Sequence, residues 1–150
     1  MIKIGKKRFV EILFSYFSRY GIKEILLLCH HKSEKFISAY HNKIFFGIKI
    51  KCLVEKEKLD TGGALKNAKK HLDNFFILSN GDTFFDINLF DLIKNYEFKK
   101  GSVLLSLSSM IKSNSSTFFK YNRFNYASYS GLSIWSKETL FENKKKNFQS

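Results

Sequence analysis

Short apolar runs alternate with amphipathic stretches along the first two thirds of this chain, and this alternation limits the folds open to it. Continuous apolar runs at 25–29 and 75–78 are bounded by polar residues, as in strands buried on both faces of a parallel sheet. Residues 48–54 instead alternate with a period of two, which predicts a further strand. We therefore predict a three-layer α/β/α, Rossmann-like fold with a mostly parallel sheet.

The stretches between these runs have the spacing of helices. From residue 8 to residue 20 the apolar side chains recur every three or four positions, and Gly21 then follows as a helix-ending glycine would. The other predicted elements are helices at 32–40, 65–72, 89–98 and from about 137, strands at 103–107 and 132–135, and loops with short antiparallel strands between 108 and 130.

The size and charge of the chain limit its partners. Its 150 residues predict one domain over 1–150, and 26 Lys and Arg against 13 Asp and Glu give a formal net charge of +13. Such a charge makes a basic nucleic-acid-binding module one hypothesis. Only Arg8, Arg19 and Arg123 are arginines, however, and reading of base edges favours arginine. Nucleic acid is therefore the less favoured partner.

Neither a membrane segment nor a disulfide framework is indicated. The longest apolar run, 25–29, is far shorter than the ~20 residues of a membrane helix. Cys29 and Cys52 are too few for a disulfide scaffold, so we expect buried, reduced thiols. We expect a cytoplasmic protein without a membrane partner.

A glycine pair between a predicted strand and a predicted helix is the first candidate site. In open α/β sheets, ligands bind where strands end. Backbone without side chains at Gly62 and Gly63 can approach a flat base or a phosphate, and the next helix offers N–H groups at its N-terminus. The alternative is a tight turn that only leads into the helix.

A carboxylate directly after the 75–78 run is the second candidate. Asp82 stands where it could hold Mg²⁺, which often binds through one or two protein carboxylates and substrate phosphates. The alternative is an Asn-Gly or Gly-Asp turn without a ligand. Asp86 is expected to cap the helix near Leu89.

Two adjacent histidines follow the first apolar run. Because neighbouring side chains of an extended chain point to opposite faces, His30 and His31 do not favour a shared metal ion. Solvent or loop hydrogen bonds are the favoured interpretation.

Several segments, taken together and in order, resemble the sugar-1-phosphate nucleotidyltransferases. The most similar group is the bacterial D-glycero-D-manno-heptose 1-phosphate guanylyltransferases, followed by the mannose-1-phosphate guanylyltransferases. The resemblance is strong from Phe9 to Leu92 and weak beyond Leu107. The segments are 9–11, 20–25, 54–57, 61–65 and 78–86.

The resemblance implies a reaction and a nucleotide site. A sugar 1-phosphate would attack the α-phosphate of an NTP, releasing pyrophosphate and giving an NDP-sugar. GTP is the expected NTP, and the NDP-sugar would serve surface polysaccharide synthesis. Thr61, Gly62 and Gly63 match the loop that lies against the base. NTP and sugar 1-phosphate are the implied partners, and a homo-oligomer stays open.

The resemblance also implies a metal and substrate site. Asp82 matches the catalytic aspartate that binds Mg²⁺, and Asn80 and Gly81 line the same site. Ser130 and Gly131, taken as a turn before the last strand, match a sugar-contacting turn more loosely.

The chain departs from the family pattern at both ends and at Asp60. The family's first strand, its glycine-rich phosphate loop and a phosphate-contacting lysine have no counterpart, so the neighbouring strands should lack a partner and expose apolar surface. Asp60 replaces a glycine, which places a negative charge near the triphosphate. We expect a fragment that also lacks the family's C-terminal part and its second metal-binding aspartate. A non-catalytic remnant that binds nucleotide or a partner subunit is the alternative function.

Overall fold

A computed structural model describes residues 2–55, 57, 59–110, 118–120 and 126–140. The strands are β1 (Lys3–Ile4), β2 (Lys7–Arg8), β3 (Glu24–Cys29), β4 (Lys43–Phe45), β5 (Ile48–Val54), β6 (Phe75–Ser79), β7 (Val103–Met110), β8 (Phe118–Lys120) and β9 (Tyr126–Ser136). The helices are α1 (Phe9–Ser18), α2 (Ser33–Tyr40), α3 (Thr61–Ala68) and α4 (Leu89–Lys94), with 3-10 turns at Lys69–His71 and Lys137–Leu140.

The longer strands form two sheets. In the three-stranded sheet β5 lies between β3 and β4, and β3 runs parallel to β5 with Cys29 opposite Val54. In the four-stranded sheet β9 pairs antiparallel with β6, β7 and β8. The α/β class is confirmed. The sheet differs from the mostly parallel one expected, because β9 inserts antiparallel between β6 and β7, which themselves run in the same direction.

β3 and β6 belong to different sheets. Among the described strands, β3 has β5 as its one hydrogen-bonded neighbour and β6 has β9. All five residues of β6 and most of β3 are consequently half-buried, not buried on both faces as the apolar runs suggested. Both strands thus keep a partner, and the expectation that the neighbours of the family's first strand are unpaired stays a prediction.

One hydrophobic cluster joins both sheets through α1. Leu13, Tyr16 and Phe17 of the predicted stripe are buried, and Val10 and Phe14, which the stripe did not include, widen the buried face. Gly21 follows the helix with φ +73°. The buried members are Val10, Leu13, Phe14, Tyr16 and Phe17 of α1 with Tyr40, Ile48, Ile50, Leu89 and Leu132. No helix in the described part of the chain is long and apolar enough to cross a bilayer.

Several boundaries differ from the predicted ones because side chains cap the helices. α3 begins at Thr61, not near residue 65, since Asp60 caps it. α4 ends at Lys94, where the Asn95 side-chain amide donates to the Asp91 carbonyl at 2.7 Å. The last helix is a 3-10 turn over residues 137–140, and the residues beyond 140 lie outside the described part.

Between residues 108 and 130, where loops and short antiparallel strands were expected, all the described residues lie in antiparallel strands, and residues 111–117 and 121–125 lie outside the described part. β7 extends to Met110 and β9 begins at Tyr126, so their hydrogen-bonded ladder is longer than the apolar pattern indicated. The β1–β2 hairpin before α1 was not anticipated either.

Candidate active site

A cavity of about 600 Å³ opens where β3 and β6 end. Its apolar lining consists of Ile2, Phe9, Val10, Leu27, Leu28 and Phe36. Its remaining lining consists of Cys29, His30, His31, Asn80, Gly81 and Asp82. Residues 29–31 lie at the end of β3 and residues 80–82 directly follow β6. The carboxyl ends of strands are where α/β sheets usually bind ligands. The structure therefore unites Asp82, Asn80 and Gly81 with the two histidines.

Asp82 presents its carboxylate to this cavity. The residue is exposed, and its Oδ1 accepts a hydrogen bond from Thr83 Oγ1 at 3.1 Å. Within the described residues no hydrogen bond engages Oδ2. The carboxylate is thus oriented by a neighbour while keeping lone pairs for a cation or a solvent molecule.

The donor set fits a divalent cation that arrives with its own oxygen ligands. Among the described residues, no group of three or more His, Cys, Asp or Glu side chains could hold a metal ion. Mg²⁺ does not need one, since it keeps several waters and binds through one or two carboxylates plus substrate phosphates. A single exposed carboxylate such as that of Asp82 could hold a divalent cation only together with oxygen ligands from elsewhere.

His30 is fixed by a loop hydrogen bond, as the sequence favoured. Its Nδ1 lies 3.3 Å from the backbone carbonyl oxygen of Glu55. Because a carbonyl only accepts, this contact requires the proton on Nδ1, so a neutral His30 has its Nε2 as an acceptor. His31 beside it is exposed at the rim of the same cavity.

Asn80 packs directly on Gly131 of the neighbouring strand. The Asn80 N–H donates to the Gly131 carbonyl at 2.8 Å, and Gly131 has φ +86°. A Cβ added at Gly131 would lie 3.0 Å from Asn80 Nδ2. Gly131 was expected in a turn before the last strand, but it lies inside β9, because β9 pairs with β7 on both sides of it, at 126–129 and at 133–135.

The glycine pair forms the first turn of α3, not a loop before it. Asp60 Oδ1 accepts from the Gly63 N–H at 2.6 Å, and the Ala64 N–H donates to the Asp60 carbonyl at 2.8 Å. Two of the N–H groups expected to be available to a ligand are therefore already used. The signal was present in the sequence, since Asp three residues before Gly63 is an N-cap pattern.

Thr61, Gly62 and Gly63 do not line the 600 Å³ cavity. A chain of contacts nevertheless leads from them toward its rim, because Glu55 Oε2 accepts from the Leu59 N–H at 3.4 Å and Leu59 packs against Gly63. The two candidate sites are thus connected by the segment after β5, without sharing one pocket.

The sequence analysis did not identify Glu55, and it assigned Asp86 a capping role that Asp86 does not have. The Glu55 N–H donates to the Cys29 carbonyl at 2.8 Å, and Glu55 is buried. Asp86 does not cap α4. Asn88 does, with its side-chain oxygen accepting from the Phe90 N–H at 3.1 Å, while Asp86 lies 3.9 Å from Arg19.

The Cys29 thiol lines the cavity as a neutral group. Burial, chiefly, and then Cys52 and Glu55 raise the pKa of Cys29 to about 12. Burial also raises the pKa of Cys52. Both cysteines are free thiols, as expected, and at neutral pH Cys29 contributes apolar surface instead of a nucleophile.

Comparison with known proteins gives a consistent family. The sequence profile described as Nucleotidyl transferase matches residues 1–119. The chain is 43% identical over 110 residues to the D-glycero-alpha-D-manno-heptose 1-phosphate guanylyltransferase of Campylobacter jejuni. It is 32% identical over 111 residues to the protein of the same name from Aneurinibacillus thermoaerophilus. Each alignment covers 73% of this chain and 48% of the relative, so the chain spans about half the length of these relatives.

Solved structures show the same fold. The crystal structure of HddC from Yersinia pseudotuberculosis complexed with GMP-PN is similar to this chain with a TM-score of 0.76 at 23% identity. The match covers 96% of this chain and 69% of that one. A second HddC structure from the same organism matches with the same TM-score and covers the whole of this chain.

Proposed function

This chain belongs to the nucleotidyl transferase family, and on that premise we propose that it serves the transfer of a nucleotidyl group from an NTP to a sugar 1-phosphate. GTP is the proposed donor and a heptose- or mannose-type sugar 1-phosphate the acceptor, since relatives matched to the chain are guanylyltransferases for such sugars. The products would be an NDP-sugar and pyrophosphate.

The bond changes define what the protein must supply. An oxygen of the sugar phosphate forms a bond to the α-phosphorus, and the bond from that phosphorus to the bridging oxygen breaks. Pyrophosphate leaves with the electron pair. No proton has to be taken from an ionised phosphate, so the protein's task is to align two anions and offset their repulsion.

The location of Asp82 is the observation that carries the proposal. An exposed carboxylate just after β6, in a 600 Å³ cavity, would hold a divalent cation together with ligands that the substrates bring. Members of this family generally use a divalent metal, and we propose Mg²⁺. When bound, Mg²⁺ would neutralise charge on the phosphates.

The other predicted site residues take supporting parts in the proposal. Asn80 and Gly81 line the cavity beside Asp82, where we propose that the phosphates bind. Gly131 acts through Asn80, which rests on it. Thr61, Gly62 and Gly63 offer a surface for the base at the start of α3, where a side chain at Gly62 would meet only one atom, at 3.6 Å.

Calorimetry with GTP, with and without MgCl₂, tests the site. We expect saturable binding that needs Mg²⁺, and a loss of about tenfold or more in affinity for Asp82→Asn, because a metal-bridging charge is removed. Asp73→Asn is the matched control, since Asp73 is an exposed carboxylate away from the cavity. Equal affinities for the two variants would remove Asp82 from the site.

Pyrophosphate release with mannose 1-phosphate or a heptose 1-phosphate tests turnover. Mg²⁺-dependent release that is lost in Asp82→Asn is the expected result. Nucleotide binding without release from any NTP and sugar phosphate pair would instead favour the non-catalytic, nucleotide-binding alternative. Absence of both binding and release would contradict the proposed function.

A further inference from the structure

The segment that carries Asp82 has little backbone support of its own. Residues 80–88 form neither helix nor strand. The segment is fixed at its start, where the Asn80 N–H donates to the Gly131 carbonyl at 2.8 Å. No backbone–backbone hydrogen bond joins residues 81–87 to any other part of the chain that the structure describes. The position of Asp82 therefore depends on contacts that side chains make with this segment.

Two tyrosine hydroxyls hold the far end of the segment. The Tyr16 hydroxyl donates to the Ile87 carbonyl at 2.5 Å, and the Tyr20 hydroxyl donates to the same oxygen at 3.0 Å. Tyr16 lies in α1 and Tyr20 follows the end of this helix by two residues. A carbonyl oxygen has two lone pairs and can accept both bonds. We call Tyr16, Tyr20 and the Ile87 carbonyl the tyrosine clamp.

Side-chain packing supports the tyrosine clamp. The Tyr16 ring meets the Phe84 ring edge to face, with 5.3 Å between the ring centroids. The Arg19 guanidinium lies 5.0 Å from the centroid of the Tyr16 ring, and its Nη2 lies 3.9 Å from Asp86 Oδ1. This ion pair is exposed and contributes little stability. The ring contact and the two hydroxyls are therefore the main attachments of the segment to α1.

The hydroxyl of Tyr16 is a part of this side chain that core packing does not require. Tyr16 is 4% exposed and belongs to the hydrophobic cluster, where Phe14 and Phe17 of the same helix pack without a polar group. Burial, chiefly, and then Tyr20 raise the pKa of Tyr16 to about 12, so the hydroxyl stays a donor at neutral pH. Its role is thus the bond to the Ile87 carbonyl.

Short contacts connect the tyrosine clamp with the Asp82 carboxylate. Thr83 Oγ1 donates to Asp82 Oδ1 at 3.1 Å, and the next residue, Phe84, is the one that packs on Tyr16. The segment is consequently fixed on both sides of Asp82, at residue 80 by β9 and at residues 84 and 87 by α1. A stretch fixed in this way has fewer conformations to lose when a ligand binds.

We propose that Tyr16 and Tyr20 are positioning residues, whose hydroxyls hold the 80–88 segment so that Asp82 is directed to a divalent cation. This role rests on the proposed function, because Asp82 is taken there as a metal ligand. The tyrosines act on Asp82 through the segment and not by contact with nucleotide or metal. α1 thus fixes the geometry of the site in addition to filling the core.

The double variant Tyr16→Phe/Tyr20→Phe tests the proposal, since it removes both hydroxyls and keeps both rings. Tyr96→Phe is the matched control, because Tyr96 is also buried and donates to the Ser102 carbonyl at 3.1 Å, outside the 600 Å³ cavity. Calorimetry measures GTP binding over a series of MgCl₂ concentrations at constant ionic strength. We expect the half-saturating Mg²⁺ concentration to rise about tenfold in the double variant only. Excess Mg²⁺ should restore its affinity for GTP, which it would not do for a general structural defect.

Limited proteolysis without nucleotide or metal gives a second measurement. Chymotrypsin cleaves after aromatic residues, and Phe84 and Phe85 lie within the 80–88 segment. Cleavage at these two residues should be about tenfold faster in the double variant than in the wild type, because the segment opens more often. Tyr96→Phe should be cleaved there at the wild-type rate.

The outcomes separate this role from the proposed function. A wild-type Mg²⁺ requirement in the double variant would overturn the positioning role alone. A loss of GTP affinity that excess Mg²⁺ does not restore would also overturn it, and so would unchanged cleavage at Phe84 and Phe85. If the wild-type chain binds no Mg²⁺-GTP at all, the proposed function fails, and the metal-directing role of the two tyrosines fails with it.

Discussion

The two sheets bury different kinds of side chain. Against the three-stranded sheet, Ile48, Ile50 and Tyr40 are fully buried and Phe14 nearly so, and Tyr40 meets Phe14 edge to face at 5.4 Å between ring centroids. The four-stranded sheet also buries apolar groups on β9, but beside them it buries hydroxyls. Its buried serines are Ser106, Ser130, Ser133 and Ser136.

Two of these four buried hydroxyls, those of Ser133 and Ser136, accept specific hydrogen bonds. Trp135 Nε1 donates to Ser133 Oγ at 2.8 Å, and the Tyr129 hydroxyl lies 2.8 Å from the same oxygen. The Gly101 N–H donates to Ser136 Oγ at 3.2 Å. Apolar packing tolerates small shifts, whereas hydrogen bonds fix distances and directions. The sheet that holds Asn80 in place is thus the one with directional contacts, and the other contributes mainly stability.

The largest effect is expected in the apolar sheet. Ile50→Ala removes a fully buried side chain and should lower the free energy of unfolding by about 3 kcal/mol, since it leaves a cavity in the core. Urea denaturation followed by circular dichroism measures it. We propose that residues 1–150 form one domain, so one cooperative transition is expected.

Ile44→Ala is the control for that experiment. Ile44 is 72% exposed on β4 of the same sheet, and its loss should change the unfolding free energy by less than about 0.5 kcal/mol. Equal losses for the two variants would mean that the three-stranded sheet is not the stabilising region of the molecule.

The second prediction compares two serines of β9. Ser133→Ala leaves the N–H of the half-buried Trp135 without its acceptor and should cost about 1 kcal/mol. Ser130→Ala should cost close to nothing, because Ser130 Oγ is buried without a hydrogen-bond partner within the described residues. Thermal unfolding of both variants measures the difference. Equal costs would show that burial, not hydrogen bonding, distinguishes this sheet.

The contrast between the sheets also explains what the sequence could predict. The stripe on α1 and the alternation of β5 are local patterns set by one buried face, and both were predicted correctly. The antiparallel position of β9 depends on pairing with β6, more than fifty residues away, which no local period encodes. Its serines weaken the apolar signal further, so part of β9 was assigned to loops.

In the candidate site, too, local sequence signals could be interpreted, whereas contacts between distant segments could not. Asp82 was identified because it closely follows an apolar run, whereas Asn80 and Gly81 were identified only through the family resemblance; the structure brings all three into one cavity. The start of α3 was misplaced, although Asp60 carried a capping signal, because a glycine pair argues locally against helix. The residues that line the apolar side of the cavity come from separate elements and share no sequence pattern.

The third prediction concerns the contact between Gly131 and Asn80. Gly131→Ala should cost about 1–2 kcal/mol of stability, because φ is +86° and the new Cβ would lie 3.0 Å from Asn80 Nδ2. Affinity for Mg²⁺-GTP, measured by calorimetry on folded protein, should fall as Asn80 is displaced.

Gly47→Ala separates strain from contact. Gly47 has φ +76°, but a Cβ there would meet nothing within 4 Å. This variant should lose stability from backbone strain alone and keep its nucleotide affinity. If both variants bind Mg²⁺-GTP equally well, the Asn80 contact has no part in the site.

The smallest effect on stability is expected at Gly62, and its sign is opposite to the others. Gly62 is helical and a Cβ there would meet only Asp60 Oδ1, at an ordinary 3.6 Å, so Gly62→Ala should stabilise α3 by about 0.5 kcal/mol. The fold therefore has no need of glycine here, and the bare backbone is left for a ligand to approach. Affinity for Mg²⁺-GTP should fall in this variant although its melting temperature rises.

Asn67→Ala, an exposed change on the same helix, should raise the melting temperature similarly and leave affinity unchanged. Unchanged affinity in Gly62→Ala would mean that the glycine pair serves only the Asp60 cap, to which Gly63 already donates its N–H.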